Sequence, residues 1–457
     1  MPISSTINRP LHRNSMVAAG HLLKSHSLAN KTWWCWVVLA STFYITFNMD
    51  GFNFSFGIMK LYILDEYKGK VSETTVSLIG GLVPALYCLL APVAFGLVTV
   101  FTVRNIAIAG GVLSTLGFGI VFVNQYLHWG FVVDFIGLGV LQGLAGACLF
   151  GPSIDLIATY FRFNHKALAT GITTCGSPVG TIVYSYLIHI LIDQFGFRGT
   201  ILFFTIASAC VIPLCFTFIH KKSITHEDLD EGPIKDRLKK SFSNVFEKEL
   251  LKDRVFILLM VAYALSILSY FVPTLLIVEQ SLEAKYRVTE NVRNLLIPLW
   301  GVTQLIGRVS VGWLADFGNK CFIFTPLSLF MTGLILSSAL MFTFPHVMIH
   351  GNAAFLTFVC IYGLISAPFI TLRSTLVQDM FYDRPTLIAS SFGWGLAAEG
   401  LVIVFGFFLP TILNNMDPLY AYLFSALSFL MSALFLSMTI PRFIKMHKLK
   451  KNDCQIQ

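Results

Sequence analysis

The chain has 457 residues, 55% of them hydrophobic and 12% charged, with a mean hydropathy of +0.73 and a formal net charge of +8. A soluble domain carries about 25% charged residues; half that share is too little to cover a water-facing surface, which excludes a soluble globular fold. The basic residues lie in loops and tails between apolar blocks, not along one stripe, which argues against nucleic-acid binding.

Residues 1–33 hold Arg9, Arg13, Lys24 and Lys31 but no Asp or Glu, and their longest apolar stretch is too short for a signal peptide. The expectation is a disordered basic cytosolic tail. Apolar blocks then follow at about 34–58, 76–100, 105–124, 129–157, 166–191 and 198–220. Residues 221–253 are polar and rich in both charge signs, and six further blocks run at about 254–278, 294–317, 321–344, 352–377, 385–413 and 418–440. Each is long enough to cross about 30 Å of hydrocarbon as a helix, and open strands would leave backbone groups unsatisfied there. The expected fold is therefore an all-α membrane protein of twelve transmembrane helices. Two six-helix bundles, 34–220 and 254–440, are separated by a cytosolic central loop, 221–253, and followed by a basic cytosolic tail, 441–457. The weakest boundaries are the short links at 101–104 and 125–128.

With both termini and the central loop placed in the cytosol, 23 of the 32 Lys and Arg residues lie on the cytosolic side, the bias that sets orientation. The halves also echo each other. Gly96-Leu97 corresponds to Gly312-Trp313-Leu314-Ala315-Asp316 at an offset of 216, and Leu168 to Gly180 corresponds to Ile388 to Gly400 at an offset of 220. Two similar offsets near half the length predict a six-plus-six duplication.

Ionisable groups at membrane depth are the sharpest signal, because each costs at least roughly 2.5–3.5 kcal/mol at the bilayer centre. They are Asp50, Asp134, Asp155, Arg308, Arg373 and Glu399. Arg308 keeps its charge and offers a fork of donors matched to a carboxylate; Gln304 stands one turn before it. It is either an anion anchor for a solute or half of a fixed ion pair with Asp50 or Glu399. Asp50 is a counter-ion or a proton site, Glu399 a substrate or gating residue, and Arg373 a gating residue. Gly139 with Gly143, and Gly176 with Gly180, let helix backbones approach, and Pro178 removes a helix hydrogen bond. Phe52 and Phe54 are expected to line an apolar part of a cavity. Nine dispersed cysteines without a Cys-x-x-Cys pair predict neither a disulfide frame nor a metal site. No nucleotide-binding motif is present, so no cofactor is expected and uphill transport would draw on a gradient.

Several segments resemble the monocarboxylate transporter family, a branch of the major facilitator superfamily, over most of residues 33–440. Trp34-Cys35-Trp36-Val37-Val38 is similar to the end of the family's Asp-Gly-Gly-Trp-Gly-Trp lead-in to helix 1, and Asp50 to Gly57 is similar to helix 1 of invertebrate and orphan members. Tyr160-Phe161, His165-Lys166-Ala167-Leu168-Ala169-Thr170-Gly171 and Gly176-Ser177-Pro178-Val179-Gly180 resemble the family's helix 4–5 motif. Phe195-Gly196-Phe197-Arg198-Gly199 resembles its Phe-Gly-Trp-Arg-Gly. The resemblance places Arg308 on the family's helix 8 substrate arginine and Glu399 on a helix 11 glutamate. It implies a plasma-membrane secondary transporter whose substrate is a small organic anion or zwitterion, with the lipid bilayer and a single-pass immunoglobulin-type chaperone as partners. Gln304 replaces an aspartate, and Phe54 a lysine, to which proton coupling is attributed in the lactate carriers. A proton-coupled symporter of short monocarboxylates, with Asp50 in place of the missing aspartate, is thus one alternative. A non-transporting receptor or scaffold is another.

Overall fold

The computed structural model describes residues 32–161, 165–218, 233–245, 250, 252–321, 324–384 and 387–456. The expected disordered tail at 1–33 falls almost wholly outside these residues, as does much of the expected central loop.

The N-terminal half begins with α1 (Thr32–Glu66), α2 (Glu73–Leu89) and α3 (Ala91–Leu127). Next, α4 (Phe131–Phe135) passes through a π-helical segment, Ile136–Leu141, into α5 (Gln142–Tyr160). Then come α6 (Lys166–Thr174), α7 (Gly176–Ala209) and α8 (Val211–Cys215). The central segment carries α9 (Ile234–Val245). The C-terminal half has α10 (Arg254–Ser281), α11 (Glu290–Cys321), α12 (Pro326–Val347), α13 (Asn352–Ile365), α14 (Ala367–Thr371), α15 (Arg373–Met380), α16 (Ile388–Met416) and α17 (Pro418–Ser437), followed by α18 (Ile440–Ile456).

The two weak boundaries resolve differently. The link at 101–104 is a kink inside α3, where Thr102 takes a φ of 74°, while α3 ends at Leu127 with His128 left-handed. A second break falls within α7 at Gly196, whose φ of 68° suits a residue without Cβ. Among the described residues, eight helices are long and apolar enough to cross a membrane by length and composition. Large apolar side chains such as Leu116, Ile206, Phe342 and Leu427 are exposed, whereas Asn48, Asp134, Gln142 and Gln304 are buried. That inversion is what lipid as solvent demands.

Within the N-terminal half, α1 packs along α7, and α3 packs along α5 and α7; in the other half α10 packs on α16 and α17, and α11 on α13. The halves meet along two seams, α2 and α3 against α16, and α6 and α7 against α11. Small residues make the close packing possible. A Cβ on Gly176 would stand 2.4 Å from the Phe43 carbonyl oxygen, and one on Gly180 would stand 2.2 Å from that of Phe47. At the α6–α11 seam, a Cβ on Gly312 would meet the Ala167 carbonyl oxygen at 2.7 Å.

The backbone of α1 cannot yield as a flexible side chain would, so Gly180→Val is expected to cost about 1–3 kcal/mol of overpacking. Gly57→Ala, where a Cβ meets nothing within 4 Å, serves as the neutral comparison. Thermal unfolding followed by size-exclusion in detergent should show a lowered midpoint for the first variant only.

Candidate transport site

The central polar site is built where α6 gives way to α7. Pro178 has no N–H, so the carbonyl four residues earlier, that of Thr174, loses its usual helical donor. Arg308 supplies one from the other half: its Nη1 donates to the Thr174 carbonyl oxygen. Its Nε donates to Gln304 Oε1 at 3.1 Å. Gln304 is itself oriented, because its Nε2 donates to Ser366 Oγ at 2.6 Å and Ser366 Oγ donates to the Tyr362 carbonyl at 2.5 Å. The Tyr270 hydroxyl also lies within reach of Arg308. Arg308 is 3% exposed, and among the described residues it makes no ion pair. The arginine is thus held by neutral acceptors, its charge unmatched by any carboxylate in contact.

Asp50 sits on α1 at the same level. It is 6% exposed, with the Ser177 hydroxyl beside it and the charges of Arg308 and Arg373 acting on it. Its Oδ1 has no hydrogen-bond partner, and neither arginine forms an ion pair with it among the described residues. Phe54, one turn further along α1, is 38% exposed and faces Phe271 of the C-terminal half, ring centroids 6.4 Å apart. Phe52 points elsewhere: it is buried in the N-terminal half against Phe118 and Phe204, where it lines a small pocket together with Asn48, Ser114 and Gln142.

Glu399 and Arg373 find each other. Arg373 Nη1 donates to Glu399 Oε2 in a buried ion pair lying wholly within the C-terminal half. The expected alternative partner of Glu399, Arg308, is not in contact with it.

Asp316 lies at the end of α11, away from this centre. Its two carboxylate oxygens accept from the backbone N–H groups of Ala167 at 3.0 Å and Leu168 at 2.8 Å. These are unsatisfied donors at the start of α6, so a C-terminal carboxylate caps an N-terminal helix. Beside it, Lys166 pairs with Asp379 at 3.7 Å, and Gln378 Nε2 donates to Asp155 Oδ1 at 3.4 Å. All of these contacts cross between the halves. They fall at the end of the molecule that also carries the start of α10, as Arg384 on Asp253 and Arg442 on Asp383 show.

Sequence reasoning missed Thr174, Ser177, Tyr270 and Ser366. Thr174 had a signal, being four residues before Pro178. Ser177 lay inside the glycine–proline motif. Tyr270 and Ser366 had none, since only tertiary packing brings α10 and the α13–α14 break to Arg308.

Residues 38–407 match the sequence model of the Major Facilitator Superfamily. The chain belongs to that superfamily. Monocarboxylate transporters are among its relatives. Monocarboxylate transporter 12 of Mus musculus is 24% identical over 76% of this chain and 73% of its own length. Monocarboxylate transporter 3 of Rattus norvegicus is 27% identical over 63% of this chain and 56% of its own length. Among solved structures, the human organic anion transporter MFSD10 superposes with a TM-score of 0.65 at 12% identity, covering 88% of this chain and 99% of that one. The proton:xylose symporter XylE superposes at 0.62 and 14% identity, covering 90% and 96%. These likenesses establish the major facilitator fold. The chain is a secondary transporter of small organic solutes in the membrane, and not an enzyme.

Asp316→Ala leaves two helix-start donors without their acceptor and should weaken the contact between α6 and α11 by about 1–2 kcal/mol. Maleimide labelling of a cysteine introduced at the buried Thr170 should then proceed severalfold faster than in the same background with Asp316 intact.

Proposed function

We propose that the protein carries a carboxylate-bearing solute by alternating access, with Arg308 as the anchor for the carboxylate. One observation carries this reading: a permanent positive charge, buried at the seam between the halves, has only neutral partners. A buried charge without a counter-ion is expensive. Its retention makes sense if an anionic ligand completes the site. The guanidinium fork suits a carboxylate, and the oriented Gln304 keeps the fork in place.

Twelve crossings with both termini cytosolic fit the Lys and Arg bias. On that orientation the Asp316, Lys166–Asp379 and Asp155–Gln378 contacts form an inner gate. Rocking of the two halves about the central site would break it and expose the solute to the cytosol. Gly176, Pro178 and Gly180 keep α7 close to α1 through the movement, and Arg373 with Glu399 stiffens the C-terminal half. The plasma membrane is the proposed location, and the family resemblance extends to an immunoglobulin-type chaperone there, testable by co-expression.

Arg308→Ala is expected to abolish uptake of labelled monocarboxylates into proteoliposomes. Arg308→Lys, which keeps the charge and loses the fork, should retain a small fraction. Uptake by Arg308→Ala equal to that of the unaltered protein would overturn the assignment.

A further inference from the structure

Four charged side chains stand at the central level: the charges of Arg308 and Arg373 act on Asp50, and that of Glu399 acts on Arg373. Arg373 and Glu399 neutralise each other in direct contact. The remaining two do not. Arg308 donates to the neutral oxygens of Thr174 and Gln304, and among the described residues no donor reaches the buried Oδ1 of Asp50. The site therefore presents two separated poles of opposite sign, one on α11 of the C-terminal half and one on α1 of the N-terminal half.

We infer that the solute is a zwitterion, its carboxylate on Arg308 and its cationic group on Asp50. The inference rests on the reading of Arg308 as the carboxylate anchor and adds the second pole. A plain monocarboxylate would satisfy the arginine and leave the Asp50 oxygen desolvated without a donor, the situation that buried polar groups avoid. An amine alone would do the reverse. A ligand carrying both charges completes both poles and brings no net charge into the bilayer. Because its two ends are held by different halves, its binding also draws α1 and α11 together. Phe54 and Phe271, facing each other across the halves, offer an apolar surface for the carbon chain between the charged ends.

Four-carbon compounds that differ in their charged groups test this. Proteoliposomes of the full chain would be given labelled butyrate, butylamine, and 2-, 3- and 4-aminobutyrate, which differ from butyrate only in the presence and position of an ammonium group. One aminobutyrate isomer is expected to exceed both butyrate and butylamine in kcat/KM by at least about tenfold, because a site built to pair a polar group rejects analogues that lack it. Asp50→Asn, nearly isosteric, should collapse that ratio to near one. Thermal shifts of the unaltered protein with the same five compounds should rank them in the same order, independently of how the variant folds. Butyrate carried as fast as every aminobutyrate, or a preference that survives Asp50→Asn, would overturn the zwitterion inference and leave Arg308 as a carboxylate anchor. Butyrate uptake that rises at acid outer pH and loses that rise in Asp50→Asn would likewise overturn it, since a proton would then occupy Asp50. Absence of flux for all five compounds, from protein shown to be folded and inserted, would overturn the transport reading as well.

Discussion

The architecture turns on a buried guanidinium held without a counter-ion. A guanidinium is a cation, so the fold must satisfy it with dipoles. One of these is created by a defect: Pro178 cannot donate, and the carbonyl it leaves free, that of Thr174, is the one Arg308 takes. The other is Gln304, pinned through Ser366 to the broken stretch between α13 and α14. Of these bonds, the one to Thr174 crosses the seam between the halves. A ligand carboxylate competing for the guanidinium would therefore weaken a contact between the two bodies that must move.

The second seam contact differs between the two halves. Asp316 caps the start of α6. At the internal offset of 216 its counterpart is Val100, which has no carboxylate to cap the start of α16. The space is used otherwise. Arg237 and Ser241 of α9 donate to the carbonyls of Val100 and Gly96, at 3.0 and 2.6 Å. The central segment thus rests on the N-terminal half at Val100 and Gly96, while Asp316 of the other half grips across the seam.

Much of this was legible in the sequence, for identifiable reasons. Long apolar blocks fix helices because lipid leaves the backbone no alternative; α10, α11, α12, α16 and α17 begin and end within a few residues of their blocks, whereas the block at 352–377 is divided among α13, α14 and α15. The glycines at 176 and 180 declared close approach, and each would clash with a backbone atom if given a Cβ. The rarity of charge at membrane depth singled out Asp50, Arg308, Arg373 and Glu399. What it did not settle was the pairing, because sequence spacing carries no information on which helices face each other. Glu399 meets Arg373 and not Arg308, and Phe52 turns into the N-terminal core where Phe54 does not. Kinks such as Thr102, where a helix continues through a left-handed residue, have no sequence signal comparable to a proline.

The most direct measurement is a structure with transported solute bound. The account requires the carboxylate to lie within hydrogen-bonding distance of the Arg308 guanidinium, with the bond to the Thr174 carbonyl released. A solute bound elsewhere, with Arg308 still on Thr174 and Gln304, would contradict it.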